Sequence, residues 1–319
     1  MKRRKIAFIF PGQGSQYVGM GKEMYDAFSL AKKVYHHGDE KLGCLLSNLC
    51  FYGPEEDLRL TVNTQPAILL TSAAILKVLE QEGIRPDFTA GHSLGEYTAL
   101  IAAGSLTISD AVWLVRQRGL FMQEAVPPGQ GTMAALIGLE REQVLAVCKK
   151  ASEKGVVEPA NYNCPGQVVI AGHVGAVQQA LEFAKEKGAK RVIPLAVSGP
   201  FHSSLLQPAS LKLAQALEQT IISRAWVPVV ANCNAELTND PNEIKENLIK
   251  QVSGAVLWQQ SIEKLLGEGV TTFIEIGPGK VLSGLIKKID KNVEMYNIED
   301  RESFTRTVVS LKEAQRNVS

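Results

Sequence analysis

Ser93 lies within a GxSxG pattern, GHSLG at 91–95, and an apolar segment comes after this pattern. Between a strand and a helix this pattern is typical of a serine nucleophile, because the sharp turn exposes the hydroxyl and the glycines let neighbouring backbone approach. The stretch at 87–90 is a weak strand signal, whereas 97–103 predicts a buried helix. With 27 glycines in the chain, a plain glycine-rich turn is the alternative.

A serine nucleophile needs a base, and the chain contains five histidines. His36 and His37 lie among charged residues at an expected helix end, and His173 follows an expected strand. His92 adjoins the serine on a turn where neighbouring side chains diverge. His202, in SGPFHSS ahead of an expected helix, is the remaining candidate, because a helix N-terminus favours the neutral ring that a base needs. A capping or loop role is the alternative.

Arg118 is a charge on an apolar helix face. On the helix expected over 109–125, it shares that face with Leu114, Val115, Phe121 and Met122. An unpaired buried guanidinium is costly, so we expect it to meet a carboxylate, either a structural Asp or Glu or a substrate. Its planar fork suits an acidic acyl group, and pairing within the fold is the alternative.

Two backbone N–H groups are candidates for an oxyanion hole. In hydrolase-like sheets one belongs to the residue after the nucleophile, here Leu94, and the other comes from an early loop. Gln13 lies in such a loop, after the strand expected at 6–10, although a simple turn is the alternative. This loop lacks the third glycine of the dinucleotide fingerprint, and GPGK at 277–280 lacks phosphate-loop spacing, so we expect no nucleotide site.

The bulk composition narrows the function classes. The formal charge of +1 gives no global field for nucleic acid or a membrane surface, and we expect no run long enough to span a bilayer. The five cysteines are scattered without a CxxC pair, which fits reduced thiols in a cytoplasmic protein.

The order of expected elements predicts an α/β fold. Early and late segments alternate strand and helix, including a helix across 20–34 and a strand at 271–276, which favours a mostly parallel, covered sheet. The middle of the chain instead follows a β-α-β-β-α-β order that is typical of a ferredoxin-like unit. Its expected elements are strands at 133–139, 158–163, 167–171 and 191–197 and helices at 141–150 and 174–187.

Six segments resemble, in order, the malonyl-CoA:acyl-carrier-protein transacylase family, the malonyl loaders of bacterial-type fatty acid synthesis. They are FIFPGQGSQ at 8–16, GHSLGEY at 91–97, RGLFMQEAVP at 118–127, NYNCPGQVVIAG at 161–172, SGPFHS at 198–203 and IGPGKVLSGL at 276–285. The resemblance implies a hydrolase-like α/β core over 1–130 and 199–319, with a ferredoxin-like subdomain inserted at 131–198.

The resemblance also implies a role for each candidate residue. Ser93 would attack the thioester of malonyl-CoA, and His202 would serve as its base. Arg118 would bind the malonyl carboxylate, while the N–H groups of Gln13 and Leu94 would hold the oxyanion.

The remaining implications concern orientation and selectivity. The backbone carbonyl of Gln251 would orient the histidine in place of an aspartate. The ring of Phe201 would crowd an α-methyl branch and so disfavour methylmalonyl. Cys164 stands where the family often has serine, with no expected functional consequence.

The resemblance further implies two partners, malonyl-CoA and an acyl carrier protein, and no metal or bound cofactor. Because such carriers are acidic, Lys190-Arg191 and Lys287-Lys288 are candidate contact sites, with ordinary solvated lysines as the alternative. Three other functions stay open: a polyketide acyltransferase, a thioester hydrolase on the same scaffold, and a non-catalytic domain that docks the carrier.

Overall fold

The computed structural model of the chain describes residues 4–197 and 199–316. In chain order, the strands of these residues are β1 (Lys5–Phe10), β2 (Phe88–Gly91), β3 (Gly131–Ile137), β4 (Val157–Cys164), β5 (Gln167–His173), β6 (Arg191–Pro194), β7 (Val229–Val230), β8 (Leu237–Thr238), β9 (Val270–Ile276) and β10 (Glu294–Ile298).

The helices surround two sheets. They are α1 (Lys22–Ala27), α2 (Ser29–Leu42), α3 (Leu46–Tyr52), α4 (Glu55–Arg59), α5 (Thr61–Gln81), α6 (Gly95–Ala102), α7 (Ile108–Glu124), α8 (Arg141–Ala151), α9 (Val174–Glu186), α10 (Gln207–Glu218), α11 (Pro241–Ser253), α12 (Trp258–Gly267), α13 (Val281–Ile289) and α14 (Arg301–Arg316). Short 3₁₀ helices cover Ser152–Lys154 and Ser204–Leu206.

The larger sheet is mostly parallel, as the sequence predicts. Its strand order is β10-β9-β1-β2-β7-β8, and only β8 runs antiparallel to its neighbour. Along β1, Phe8 and Phe10 pack into one core while Ala7 and Ile9 pack into another. Helices therefore cover both faces, which explains why these strands are continuously apolar. The carboxyl ends of β1, β2 and β9 lie at one edge of the sheet.

The smaller sheet is antiparallel and has the ferredoxin-like strand order β4-β5-β3-β6, with α8 and α9 as its two helices. Ala134 and Leu136 pack under these helices, whereas Met133 and Ala135 join the main core. The predicted fold class is confirmed. The domain boundaries at 131 and 198 stay a prediction, and position 198 lies outside the described residues.

Several expected elements differ in extent. The helix expected across 20–34 is two helices, because Phe28 is extended (φ −126°) and packs against Phe304. Strand β3 ends at Ile137, before the left-handed Gly138 (φ 91°), and not at 139. Strand β6 ends at Pro194 instead of 197, although the Leu195 N–H still donates to the Met133 oxygen of β3 at 2.9 Å.

Helix α5 corrects one expectation from the sequence. By length and composition it is apolar enough to cross a membrane, whereas we expected no such run. However, 83 % of its most apolar stretch is buried inside the protein, where it packs against α2 and α7. It is therefore a core helix of the folded protein.

Candidate active site

Ser93 lies on a tight turn between β2 and α6, in the left-handed region with φ 52°. A Cβ added at Gly91 would lie 1.9 Å from the carbonyl carbon of Gly95, and one at Gly95 would lie 2.1 Å from the oxygen of Phe10. Both positions therefore need glycine. The weak strand signal before the turn corresponds to a fully buried central strand.

The structure brings His202 to Ser93. The serine Oγ lies 2.6 Å from His202 Nε2, and Nδ1 lies 2.9 Å from the carbonyl oxygen of Gln251 and 3.2 Å from that of Gly254. Because both carbonyls only accept, Nδ1 carries the proton and Nε2 is free to accept from the serine hydroxyl. Two main-chain carbonyls thus fix the tautomer where other triads use a carboxylate.

The pKa of His202 is lowered from 6.5 to about 3. Burial is the largest cause, since the residue is 4 % exposed, and the Arg118 guanidinium is the second. The sequence predicts a neutral ring because of a helix N-terminus, whereas in the structure desolvation and a neighbouring cation are the causes. At neutral pH the ring is a neutral base.

Arg118 projects into the same site and is 1 % exposed. Its Nη1 donates to Gln65 Oε1 at 2.7 Å, and its Nη2 donates to Gln251 Oε1 at 3.0 Å and to Ser93 Oγ at 3.1 Å. Within 4–197 and 199–316, no ion pair includes Arg118, and its buried Nε has no acceptor. The carboxylate expected as a structural partner is therefore not in direct contact, and neutral oxygens hold the cation.

A cavity of about 100 Å³ lies beside the serine. Gln13 and Leu94 line it, and among the described residues neither backbone N–H has an acceptor in the protein. Leu94 immediately precedes α6, so its N–H lies at the positive end of the helix dipole. Phe201 also lines the cavity and is buried. The space fits a small acyl group.

Two grooves share lining residues with this cavity. One, of about 520 Å³, shares Met133 and Val197 with the cavity, and its other lining residues come mainly from the smaller sheet, from α9 and from the segment at 59–61. The other, of about 200 Å³, shares Gln13 and His92 with it. His92 donates from Nε2 to Asn163 Oδ1 at 2.9 Å, so this histidine points away from the serine.

Two site residues were missed by the sequence argument. Asn232 accepts from the Ser93 N–H at 2.6 Å and donates to the Gly91 oxygen at 2.7 Å, so it bridges the turn. Its position after β7, the neighbour of β2, was an available signal, because carboxyl ends of parallel strands meet. Gln65 is the second missed residue, and its signal was a polar side chain within the apolar α5.

Among the described residues, no cluster of three or more His, Cys, Asp or Glu side chains is arranged to hold a metal ion. All five cysteines fall in the described ranges, and each is free. Cys164 is buried, with Sγ 3.8 Å from Gln167 Oε1.

The chain is similar in sequence and fold to known proteins. A family model described as "Acyl transferase domain" matches residues 7–309. The chain is 52 % identical over 314 residues to a "Malonyl CoA-acyl carrier protein transacylase" of Bacillus subtilis (strain 168), covering 98 % of this chain and 99 % of that relative. A malonyl CoA-acyl carrier protein transacylase of Clostridium perfringens has a TM-score of 0.95 at 47 % identity, covering 98 % and 99 % of the two chains.

A further solved structure contains a partner. It is a malonyl-transacylase in complex with its type II PKS acyl-carrier protein, with a TM-score of 0.94 at 41 % identity, covering 96 % of this chain and 99 % of that one.

The lowered pKa of His202 predicts an unusual pH profile. For a base with an unperturbed pKa of about 6.5, the neutral fraction at roughly pH 5 would be about 30-fold lower than that of a fully neutral base. Because the pKa of His202 is lowered to about 3, the ring should stay neutral there, and the rate of Ser93 acylation should fall less than about threefold between pH 7 and 5. Rapid-quench mass spectrometry measures this rate. An acid limb with a midpoint near 6.5 would contradict the assigned environment of His202.

Proposed function

The chain belongs to the acyl transferase domain family, and from this we propose that it transfers a malonyl group from malonyl-CoA to the phosphopantetheine thiol of an acyl carrier protein. The observation that carries the proposal is the convergence of Ser93, His202 and Arg118 on one small cavity, with a guanidinium that no carboxylate contacts directly. A buried cation that hydrogen-bonds only to neutral oxygens is a site for an anionic substrate group.

In the first half-reaction, Ser93 is the nucleophile. Its Oγ attacks the thioester carbonyl carbon while its proton passes to His202 Nε2. The N–H groups of Gln13 and Leu94 hold the developing oxyanion. When the carbon–sulfur bond breaks, His202 returns the proton to the CoA sulfur, which leaves malonyl-serine and free CoA.

The second half-reaction runs the same steps in reverse with a different thiol. His202 takes the proton of the phosphopantetheine thiol, and the sulfur attacks the malonyl-serine ester. The same N–H groups hold the second oxyanion, and the ester bond breaks with the proton returning to Ser93 Oγ. The scheme uses no metal and no redox cofactor.

Acyl selectivity follows from two buried side chains. Arg118 would exchange its contact with Ser93 Oγ for a bidentate pair with the malonyl carboxylate, which acetyl lacks. Phe201, buried against the same cavity, would crowd an α-methyl branch and disfavour methylmalonyl. Each effect requires only that the acyl group fill the 100 Å³ cavity.

The groove next to Gln13 suits the phosphopantetheine arm. Asn161, Asn163 and Gln167 line it, and their carboxamides can bond to the amides of the arm. Lys288 lies at its rim, with Nζ 3.2 Å from Gln167 Oε1, where its charge would favour an acidic carrier.

The second basic pair, Lys190-Arg191, lies near the same end of the smaller sheet. Arg191 and Gln167 pair with Ile137 from its two sides. Lys288 contacts Gln167, which lines the groove next to Gln13, whereas neither residue of the second pair lines that groove. We therefore propose Lys287-Lys288 as the carrier contact.

The reaction supplies malonyl groups for fatty acid synthesis. We place the protein in the cytoplasm, where a chain with five free cysteines stays reduced. A polyketide carrier would use the same chemistry, so the identity of the carrier alone separates the two pathways.

Malonyl transfer predicts a covalent adduct on Ser93. Mixing the protein with malonyl-CoA should add one malonyl group by intact-mass measurement, and added holo carrier should remove it. Ser93→Ala should show no adduct, whereas Ser105→Ala, which removes a hydroxyl bonded to the Ser223 oxygen, should label normally. Loss of the adduct without carrier would indicate a hydrolase, and carrier binding without an adduct would indicate a docking domain. Normal labelling of Ser93→Ala would refute the nucleophile.

Arg118→Ala should change selectivity more than chemistry. Removing the carboxylate contact should lower the malonyl-to-acetyl ratio of kcat/KM by at least about tenfold, the value of one charge-assisted hydrogen bond. Arg116→Ala is the matched control, because Arg116 Nη1 donates to the Val62 oxygen and Asn63 Oδ1 instead. Steady-state kinetics with both acyl-CoA substrates give the ratio. An unchanged ratio in Arg118→Ala would remove Arg118 from the substrate site.

A further inference from the structure

Glu96 is a buried carboxylate that the proposed reaction does not use. It lies in the first turn of α6, three residues after the nucleophile, and is 3 % exposed. Burial raises its pKa to about 7. A carboxylate is costly to bury unless its bonds are satisfied, so its partners show what it does.

The partners of Glu96 lie in the active site. Its Oε2 accepts from the Asn232 backbone N–H at 3.0 Å and from Gln251 Nε2 at 2.8 Å. The same Nε2 donates to the Ser93 carbonyl oxygen at 2.9 Å. The amino end of the Gln251 carboxamide therefore faces oxygens, and its carbonyl end accepts from Arg118 Nη2 at 3.0 Å.

The Gln251 carboxamide has one favourable orientation among these partners. A flipped carboxamide would bring Gln251 Oε1 against the oxygens of Glu96 and Ser93, and its amino group against the guanidinium. The first contact would place acceptor against acceptor, and the second would place donor against donor. The charged acceptor makes the shortest of the three bonds from the amino group, at 2.8 Å, against 2.9 Å to the Ser93 oxygen and 3.4 Å to Asn232 Oδ1.

We propose that Glu96 is a positioning residue for acyl selectivity: by accepting from Gln251 Nε2 it turns the carboxamide oxygen towards Arg118 and so holds the guanidinium beside Ser93 Oγ. This inference rests on the proposed malonyl transfer. It assigns Glu96 no contact with the substrate.

The base is held independently of this contact. His202 Nδ1 donates to the main-chain oxygens of Gln251 and Gly254, which do not depend on the direction of the carboxamide. Asn232 also keeps two further bonds to the turn, from the Ser93 N–H and to the Gly91 oxygen. Loss of the Glu96 acceptor should therefore weaken malonyl recognition while the chemistry at the serine persists.

The test compares Glu96→Met, which removes the acceptor at similar length, with Glu96→Gln, which keeps an oxygen. Kinetics with malonyl-CoA and acetyl-CoA are run at about pH 8, where a carboxyl with a pKa of about 7 is ionised. Glu96→Met should raise the malonyl KM and lower the malonyl-to-acetyl ratio of kcat/KM about tenfold, with acetyl kcat/KM within about threefold. Glu96→Gln should restore the ratio to within about threefold of the unmodified protein.

Asp39 offers a matched control. It is 9 % exposed and likewise accepts from one backbone N–H and one side chain, those of Ser47, at 2.9 and 2.5 Å. It does not line the cavity. Asp39→Leu should lower thermal stability and leave the malonyl-to-acetyl ratio unchanged.

A second variant covers the case in which Glu96→Met does not fold. Gln251→Met removes the carboxamide but keeps the main-chain oxygen on His202. It should lower the ratio by a similar factor, and the double variant should lose no more than either single one.

Equal losses of malonyl and acetyl transfer in Glu96→Met would overturn the proposal, as would a Glu96→Gln variant that behaves like Glu96→Met. The unmodified protein is assayed alongside. If it forms no malonyl adduct, the proposed function itself fails, whereas a normal adduct with an unchanged ratio in Glu96→Met rejects only the role of Glu96.

Discussion

The active site depends on one buried glutamine that contacts all three candidate reactive residues. Gln251 accepts from His202 through its main-chain oxygen, accepts from Arg118 through Oε1 and donates to the Ser93 carbonyl through Nε2. Each of these groups comes from a different part of the chain, and α11 supplies the residue at which they meet. A displacement of that helix would misalign the base, the cation and the nucleophile together.

The electrostatics of the site follow from burying a cation whose direct hydrogen-bond acceptors are neutral oxygens, while the Glu96 carboxylate lies beyond Gln251. The guanidinium of Arg118 disfavours a second positive charge nearby, and together with burial it lowers the pKa of His202 to about 3. The same cation has no carboxylate in direct contact among the described residues, so it can neutralise an anionic acyl group. We propose that the charge that helps burial to keep the base neutral also selects the substrate.

The sequence predicted the features that depend on local pattern. The turn at Ser93, the apolar face that carries Arg118, and the β-α-β-β-α-β order of the smaller sheet all follow from spacing along the chain. It did not predict Asn232 or Gln65, because each contacts the site only after distant segments pack together. Asn232 bonds to the Ser93 N–H across 139 positions, and Gln65 bonds to Arg118 across 53.

The most direct measurement of the central claim is a crystal structure of the malonyl-serine form. We expect the malonyl carboxylate to lie about 3 Å from the guanidinium nitrogens of Arg118. The carbonyl oxygen of the ester should point towards the N–H groups of Gln13 and Leu94. A carboxylate turned to solvent, with Arg118 still bonded only to Gln65 and Gln251, would contradict the account.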